Sequence, residues 1–245
     1  MNKNQWRHRI RQELADRSSL SDQRDQSDQR DHADRNHHND HSELLKLPNK
    51  QDLLNERLCR ILNDQSGVWA AFQPIHSEPD IRPALEKLSR IEWVFPRVEG
   101  EDLAFFRPQD ARSLVVNRWG IREPDPAQSL RVNVRDLQGL LIPGLAFDLF
   151  CHRLGRGKGY YDRALAELHS SNNNAKLKVT KVIKIGIAFD QQIVDSELPT
   201  DLHDVPMDGV LTESRFFARE NDAKAGVSSP GFAEWADKLS ERKRS

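Results

Sequence analysis

Cysteine is scarce. Only Cys59 and Cys151 occur in 245 residues, too few for a disulfide framework, and with no apolar leader stretch this points to a reducing, cytosolic setting. Long apolar runs are missing too. Nothing approaches the roughly 20 residues that cross a bilayer, and the chain is polar from Asn2 onward, so neither export nor anchoring is expected. Charge of one sign is also lacking: 37 basic against 38 acidic side chains give a formal net charge of −1. General attraction to nucleic acid or membrane is thereby excluded, and any basic function must be local. What is present, 37% hydrophobic and 31% charged, suffices for one sizeable core.

Residues 3–17 have helical composition, with Trp6, Ile10 and Leu14 on one stripe. Lys3 and Arg7 lie four apart on a neighbouring face and, read alone, are a solvated basic flank. From residue 18 to 43 an imperfect SDQRD repeat offers almost nothing to bury. Such a tract cannot offset its ordering entropy, so a disordered or loosely helical insertion is expected. His32, His37, His38 and His41 within it lack the scaffold of a metal site.

Order resumes at Leu44. Leu53, Leu54, Leu58, Ile61 and Leu62 predict a helix with Cys59 as a small core residue. A buried strand follows over Gly67 to Phe72, ending at Gln73-Pro74, with Glu78 in the next loop. Ile81, Leu85 and Leu88 mark a short helix, and Ile91 to Phe95 a second strand. Strand, helix, strand is the pattern of a parallel sheet, whose ligands bind at the carboxyl ends of strands. Leu103–Arg107 and Leu114–Val116 read as an antiparallel excursion, and Trp119 to Pro126 as a loop. Leu140 to Phe147 is a buried strand interrupted by Pro143-Gly144. Helix through His169, a polar break at Ser170 to Asn174, and strands at Lys181–Phe189 and Met207–Thr212 complete a domain over residues 44–214. Residues 215–245 read as an extension in which Phe232, Trp235 and Leu239 could dock a helical face.

One stretch resists explanation by packing. Gly155, Gly157 and Gly159 alternate with Arg156 and Lys158, and Arg153 and Arg163 flank them. Alternate glycines expose backbone N–H groups, and four clustered cations repel one another unless an anion joins them. Helix-forming residues begin at Tyr160, so the loop delivers its ligand to a helix N-terminus, where phosphate is favoured. It is not a P-loop, because Lys158 precedes glycine, and it fails the dinucleotide fingerprint by one residue. On residues alone, Asp162 is a helix N-terminal carboxylate and Asp204 a loop terminator.

Several motifs in order, PGLAFD…RLGRGKGYYDR, FPRV, WGIREP and IAFDQQ…LPTDLHDVPMDGVLTE, give a resemblance to the 5-formyltetrahydrofolate cyclo-ligases, also called methenyltetrahydrofolate synthetases. It covers residues 3–17 and 44–212. The resemblance implies an α/β fold, mainly a parallel sheet flanked by helices on both faces in three layers. It also implies a cytoplasmic, monomeric ligase of one-carbon metabolism, with ATP as co-substrate, Mg²⁺ as cofactor and small molecules as its only partners. Arg153, Leu154, Gly155, Arg156, Gly157, Lys158, Gly159 and Tyr160 would bind ATP, with Lys3 and Arg7 on its phosphates. Gln73, Glu78, Arg156, Gly157 and Tyr160 would bind folate, and Arg156, Lys158 and Tyr160 would be catalytic. Asp162 and Asp204 would hold Mg²⁺. The alternative is a silent folate- or nucleotide-binding protein of the same fold, against which the loop, Asp162, Asp204 and Glu78 stand together. Two departures stand out: Cys151 where the family usually has glycine, and a long tether after the first helix.

Overall fold

The structure, a computed structural model, describes residues 1–16, 48–75, 77–110, 113–118, 120–169 and 182–219. The expected insertion with its four histidines, the Ser170–Asn174 break, Trp119 and the Phe232, Trp235 and Leu239 face lie outside these residues. The periodicity of residues 3–16 produces α1. Asn49 then caps α2, Lys50–Leu62, its side chain accepting from the Gln51 and Asp52 N–H groups while Asp52 answers to the Asn49 N–H. This capping box satisfies donors that the helix cannot satisfy internally.

The chain continues through β1, Gly67–Ala70, and α3, Arg82–Lys87, into β2, Ile91–Glu99. β1 and β2 pair in parallel, Trp69 opposite Trp93, as the strand–helix–strand pattern requires. β3, Asp102–Pro108, folds back antiparallel on β2 and pairs onward with β6, Ser129–Val132. Between them β4, Leu114–Val116, and β5, Arg122–Pro124, form a separate two-stranded ribbon. Part of the stretch expected to be a loop over Trp119–Pro126 is therefore a strand. Gly120 and the two prolines read as turn residues, but β5 is an edge strand of a two-stranded ribbon, where the N–H that Pro124 lacks is tolerated.

β7, Gly139–Pro143, runs beside β1, and β10, Ile183–Ile187, and β12, Gly209–Leu211, extend the parallel core. The eight-stranded order is β13-β12-β10-β7-β1-β2-β3-β6, with β13, Phe216–Ala218, antiparallel at one edge. The sheet thus runs a few residues past 214. The apolar run from Leu140 to Phe147 is two strands rather than one interrupted strand. β7 stops at Pro143, and β8, Ala146–Asp148, leaves for a small sheet with β9, Arg153–Leu154, and β11, Ile193–Val194. Gly144 makes the turn possible because the Phe147 ring lies 2.6 Å from where a Cβ would stand.

Residue alternation on β7 assigns the two faces. Leu141 packs with Leu54, Leu58 and Leu62 of α2 and Leu85 of α3. Leu140 and Ile142 point the other way, toward Ala164 and Leu165 of α4, Tyr160–His169. Helices therefore cover both faces of a mainly parallel sheet, and half-buried Cys59 packs against the α2 side as a core residue. A third cluster seats Ile10 and Leu14 of α1 on Leu145, Ala146 and Leu154 of the small sheet. That seat holds α1 against the back of the glycine loop. No helix among the described residues is long and apolar enough to cross a membrane.

Candidate active site

The carboxyl ends of β1 and β7 open into a cavity of about 680 Å³, within the usual range for ligand pockets. Its apolar floor is Phe72, Pro96, Val98 and Leu103. One wall is the segment after β1, with Gln73, Ile75 and Glu78; another is the glycine loop with the start of α4; the third is the β4–β5 hairpin.

The glycine loop is aimed by the turn before it. Asp148, fully buried at the end of β8, accepts the N–H groups of Phe150 and His152 at 2.9 Å and of Leu198 at 2.8 Å, and meets His152 Nδ1 at 2.9 Å. Cys151 lies inside this turn with φ 64°, the only left-handed non-glycine backbone among the described residues. A position that favours glycine sterically is thus filled by a buried thiol, which burial pushes up to about 12. β9 then delivers Arg153, while Leu154 points into the third core cluster and anchors the loop rather than lining the cavity.

Past β9 the backbone turns left-handed at Gly157, φ 101°, and Gly159, φ 70°, conformations open to glycine at little cost. Arg153 Nη2 lies 2.6 Å from Asp162 Oδ1, and its guanidinium stacks over Tyr161 at 5.4 Å. Arg156 places Nε and Nη2 each 3.2 Å from Glu78 Oε1. Glu78 is nearly buried, and its other oxygen accepts the Ile75 N–H at 3.2 Å. Lys158 is exposed on the wall. Arg163 turns away, stacking on Tyr160 and donating to the Glu101 and Lys158 carbonyls, so it clamps the loop to the β2–β3 turn. Burial and the Glu78 charge push the Tyr161 phenol upward, so it stays neutral.

The N-terminal pair reaches the loop from behind. Arg7 Nε donates to the Gly155 carbonyl at 3.0 Å, and Arg11, which sequence reading passed over, donates to the Arg156 carbonyl at 3.3 Å. Lys3 bonds Asp201 at 2.6 Å and Asp204. Burial opposes the Lys3 charge, but these two carboxylates outweigh it and leave its pKa raised. Lys3, Arg7, Leu154 and Asp204 do not line the cavity, whereas Gln73, Glu78, Tyr160, Asp162 and the rest of the loop do. Among the described residues, no group of three or more His, Cys, Asp or Glu is arranged to hold a metal.

The hairpin wall was not foreseen. Asn117, Arg118, Ile121, Arg122 and Glu123 all face the cavity. Buried Glu123 accepts from Asn117 Nδ2 at 3.1 Å and pairs with Arg97 of β2 at 3.0 Å, and Arg97 also donates to the Pro124 carbonyl at 2.8 Å. The available signal was the short Val-rich run of β4 facing Arg122–Pro124 across a turn ending in glycine.

Residues 2–213 match the 5-formyltetrahydrofolate cyclo-ligase family. A probable 5-formyltetrahydrofolate cyclo-ligase of Schizosaccharomyces pombe is 32% identical over 109 residues, 44% of this chain and 53% of its own length. The chain therefore spans about half of that relative. A 5-formyltetrahydrofolate cyclo-ligase of Mycolicibacterium smegmatis is 36% identical over 155 residues, covering 59% of this chain and 73% of the relative. That of Escherichia coli is 32% identical over 158 residues, 60% of this chain and 78% of the relative. Among solved structures, the 5,10-methenyltetrahydrofolate synthetase of Aquifex aeolicus superposes with a TM-score of 0.56 at 31% identity, covering 72% of this chain and 86% of that one. Sequence, sheet and glycine loop agree, and the chain belongs to the 5-formyltetrahydrofolate cyclo-ligase family.

Proposed function

We propose that the protein uses ATP to convert 5-formyltetrahydrofolate into 5,10-methenyltetrahydrofolate, releasing ADP and phosphate. The observation that carries this reading is the Arg156–Glu78 contact at 3.2 Å, which joins an anion-binding loop and a buried carboxylate within one cavity. A carboxylate there accepts from the ring and amino N–H donors of a pterin, with Gln73 beside it. Tyr160 stands where the loop enters α4, against the pterin or its formyl group. Lys158 and the backbone N–H groups around Gly157 and Gly159 take the phosphates.

In this reading the formyl oxygen attacks the γ-phosphorus and the bond to ADP breaks, leaving an activated formyl phosphate on N5. N10 of the folate then attacks the formyl carbon, closing the five-membered ring, and the N10 proton is lost as phosphate departs with the former formyl oxygen. Phosphoryl transfer asks little covalent help of a protein, so Arg156 and Lys158 act by orienting the γ-phosphate and offsetting its charge. Arg7 acts from behind, fixing the Gly155 carbonyl and adding positive charge near the loop.

Asp162 fits a Mg²⁺ role because its carboxylate lines the cavity beside the phosphate loop, and Mg²⁺ needs only one or two carboxylates besides phosphate and water. Asp204, bonded to Lys3 outside the lining, joins it only where Lys3 yields that carboxylate. Bound there, the ion would neutralise phosphate charge during transfer. Two free cysteines fit the reducing setting of the cytoplasm, where the enzyme is taken to act as a monomer.

ADP release tests the reading. One ADP per methenyl product, formed only when 5-formyltetrahydrofolate is present, is expected; equal ADP release without folate would make the protein a plain ATPase.

A further inference from the structure

The glycine loop is held from outside the cavity by arginines. Arg7 and Arg11 of α1 donate to the Gly155 and Arg156 carbonyls, and Arg163 of α4 donates to the Lys158 carbonyl at 3.3 Å. None of these three arginines lines the cavity. A loop that receives phosphate on its N–H groups needs its carbonyl oxygens turned elsewhere, and the three guanidinium groups give those oxygens partners. Lys158 lies just past the carbonyls that α1 holds. On the phosphoryl-transfer reading, on which this inference rests, its side chain has to meet the transferring phosphate. We infer that Arg163 is the positioning residue that holds Lys158 for that step.

Contacts from both sides converge on this guanidinium. Its Nη2 donates to the Lys158 carbonyl and to the Glu101 carbonyl, so a single nitrogen bridges the loop and the β2–β3 turn. Nε lies 3.7 Å from Asp102 Oδ1 of the same turn, and the group stacks on Tyr160 at 5.4 Å. Nη1 lies 2.7 Å from where a Cβ on Gly159 would stand, so a side chain between Lys158 and Tyr160 would push the guanidinium away. The turn is a firm anchor. It closes the β2–β3 ladder at Glu99 opposite Asp102, and Arg131 of β6 donates to Glu99 at 2.7 Å. A lysine in place of Arg163 would keep the positive charge but lose the planar fork that joins loop, turn and ring. Substitution can therefore separate position from charge.

The test combines steady-state kinetics, urea melts and amide hydrogen exchange in the unaltered protein, Arg163→Gln, Arg163→Lys, Lys158→Ala and Arg163→Gln/Lys158→Ala. Arg163 is exposed, so the melts of its variants should stay close to that of the unaltered protein. Both Arg163 variants should lower kcat about tenfold, less than the roughly hundredfold loss that a misplacement of one ångström can bring. KM for ATP and for folate should stay within about twofold, because no binding contact is removed. In the Lys158→Ala background, Arg163→Gln should lower kcat no further, since it acts through Lys158. Amides from Gly157 to Tyr160 should exchange faster in both Arg163 variants. Full kcat in Arg163→Lys would overturn the proposal in favour of a charge effect. Additive losses in the double variant would overturn it too, placing the action of Arg163 elsewhere, as would unchanged exchange in the loop. Because exchange is read without substrate, faster loop exchange in a protein that turns nothing over would sustain Arg163 as the group holding Lys158 while refuting the cyclisation reading.

Discussion

Arg156 of the glycine loop and Glu78 of the segment after β1 lie 3.2 Å apart, each nitrogen of the contact reaching the same carboxylate oxygen. The contact joins the two roles proposed for these residues, phosphate binding at Arg156 and pterin binding at Glu78. Arg156→Ala should impair both ATP and folate binding, because it removes the proposed phosphate contact and leaves a nearly buried carboxylate without its cation. Glu78→Gln should raise KM for folate more than for ATP. A double-mutant cycle on kcat/KM should give a coupling of about 1–2 kcal/mol; strict additivity would separate the two functions again.

Lys158 is exposed on the cavity wall. Lys158→Ala should lower kcat about a hundredfold, the scale of one lost donor to developing charge. Stability should change by less than about 0.5 kcal/mol, as for other exposed positions. Steady-state kinetics beside a urea melt check this, and an unchanged kcat would remove Lys158 from the mechanism.

Asp162 and Asp204 differ in setting, one on the cavity wall and one bonded to Lys3. Asp162→Asn should raise the Mg²⁺ needed for half-maximal turnover about tenfold. Asp204→Asn should shift it less and instead loosen α1, read as faster proteolysis near the N-terminus. The reverse ranking from a Mg²⁺ titration would make Asp204 the principal ligand.

Cys151 carries a conformational and a protonic consequence. Its φ of 64° suits glycine, so Cys151→Gly should change stability by no more than about 1 kcal/mol, relief of strain offsetting the lost thiol packing. Cys151→Val, β-branched in the same backbone, should cost about 2 kcal/mol or more. The thiol is pushed up to about 12 by burial. A group raised in the folded state stabilises fully below its unfolded value, near 9, and loses that contribution as pH climbs toward 12. Between pH 8 and 10 the unaltered protein should therefore lose about 1 kcal/mol more than Cys151→Gly. Urea melts at both pH values check the difference.

The glycine loop was legible because its glycines and cations are neighbours in the chain, and local chemistry needs no fold to be read. The parallel core was legible for the same reason: strand, helix and strand follow one another from Gly67 to Glu99. Contacts between distant residues were not. Lys3 meets Asp204 across 201 positions, so a lysine expected on phosphate is held at a carboxylate expected on metal. Glu123 is held by Arg97 on β2 and by Asn117 across the hairpin, partners that cannot be read from the WGIREP stretch alone, which therefore reads as a loop. Pro143-Gly144 was seen as an interruption, but only the Phe147 ring packed against Gly144 explains why the strand changes sheets there.

The near-ultraviolet absorbance of the methenyl product, followed with purified protein, 5-formyltetrahydrofolate and Mg²⁺, with and without ATP, tests the central claim most directly. A rise that requires ATP and is about a hundredfold slower in Lys158→Ala is the predicted result. No rise from a folded protein that binds both ATP and folate would contradict it and leave a binding protein built on a cyclo-ligase fold.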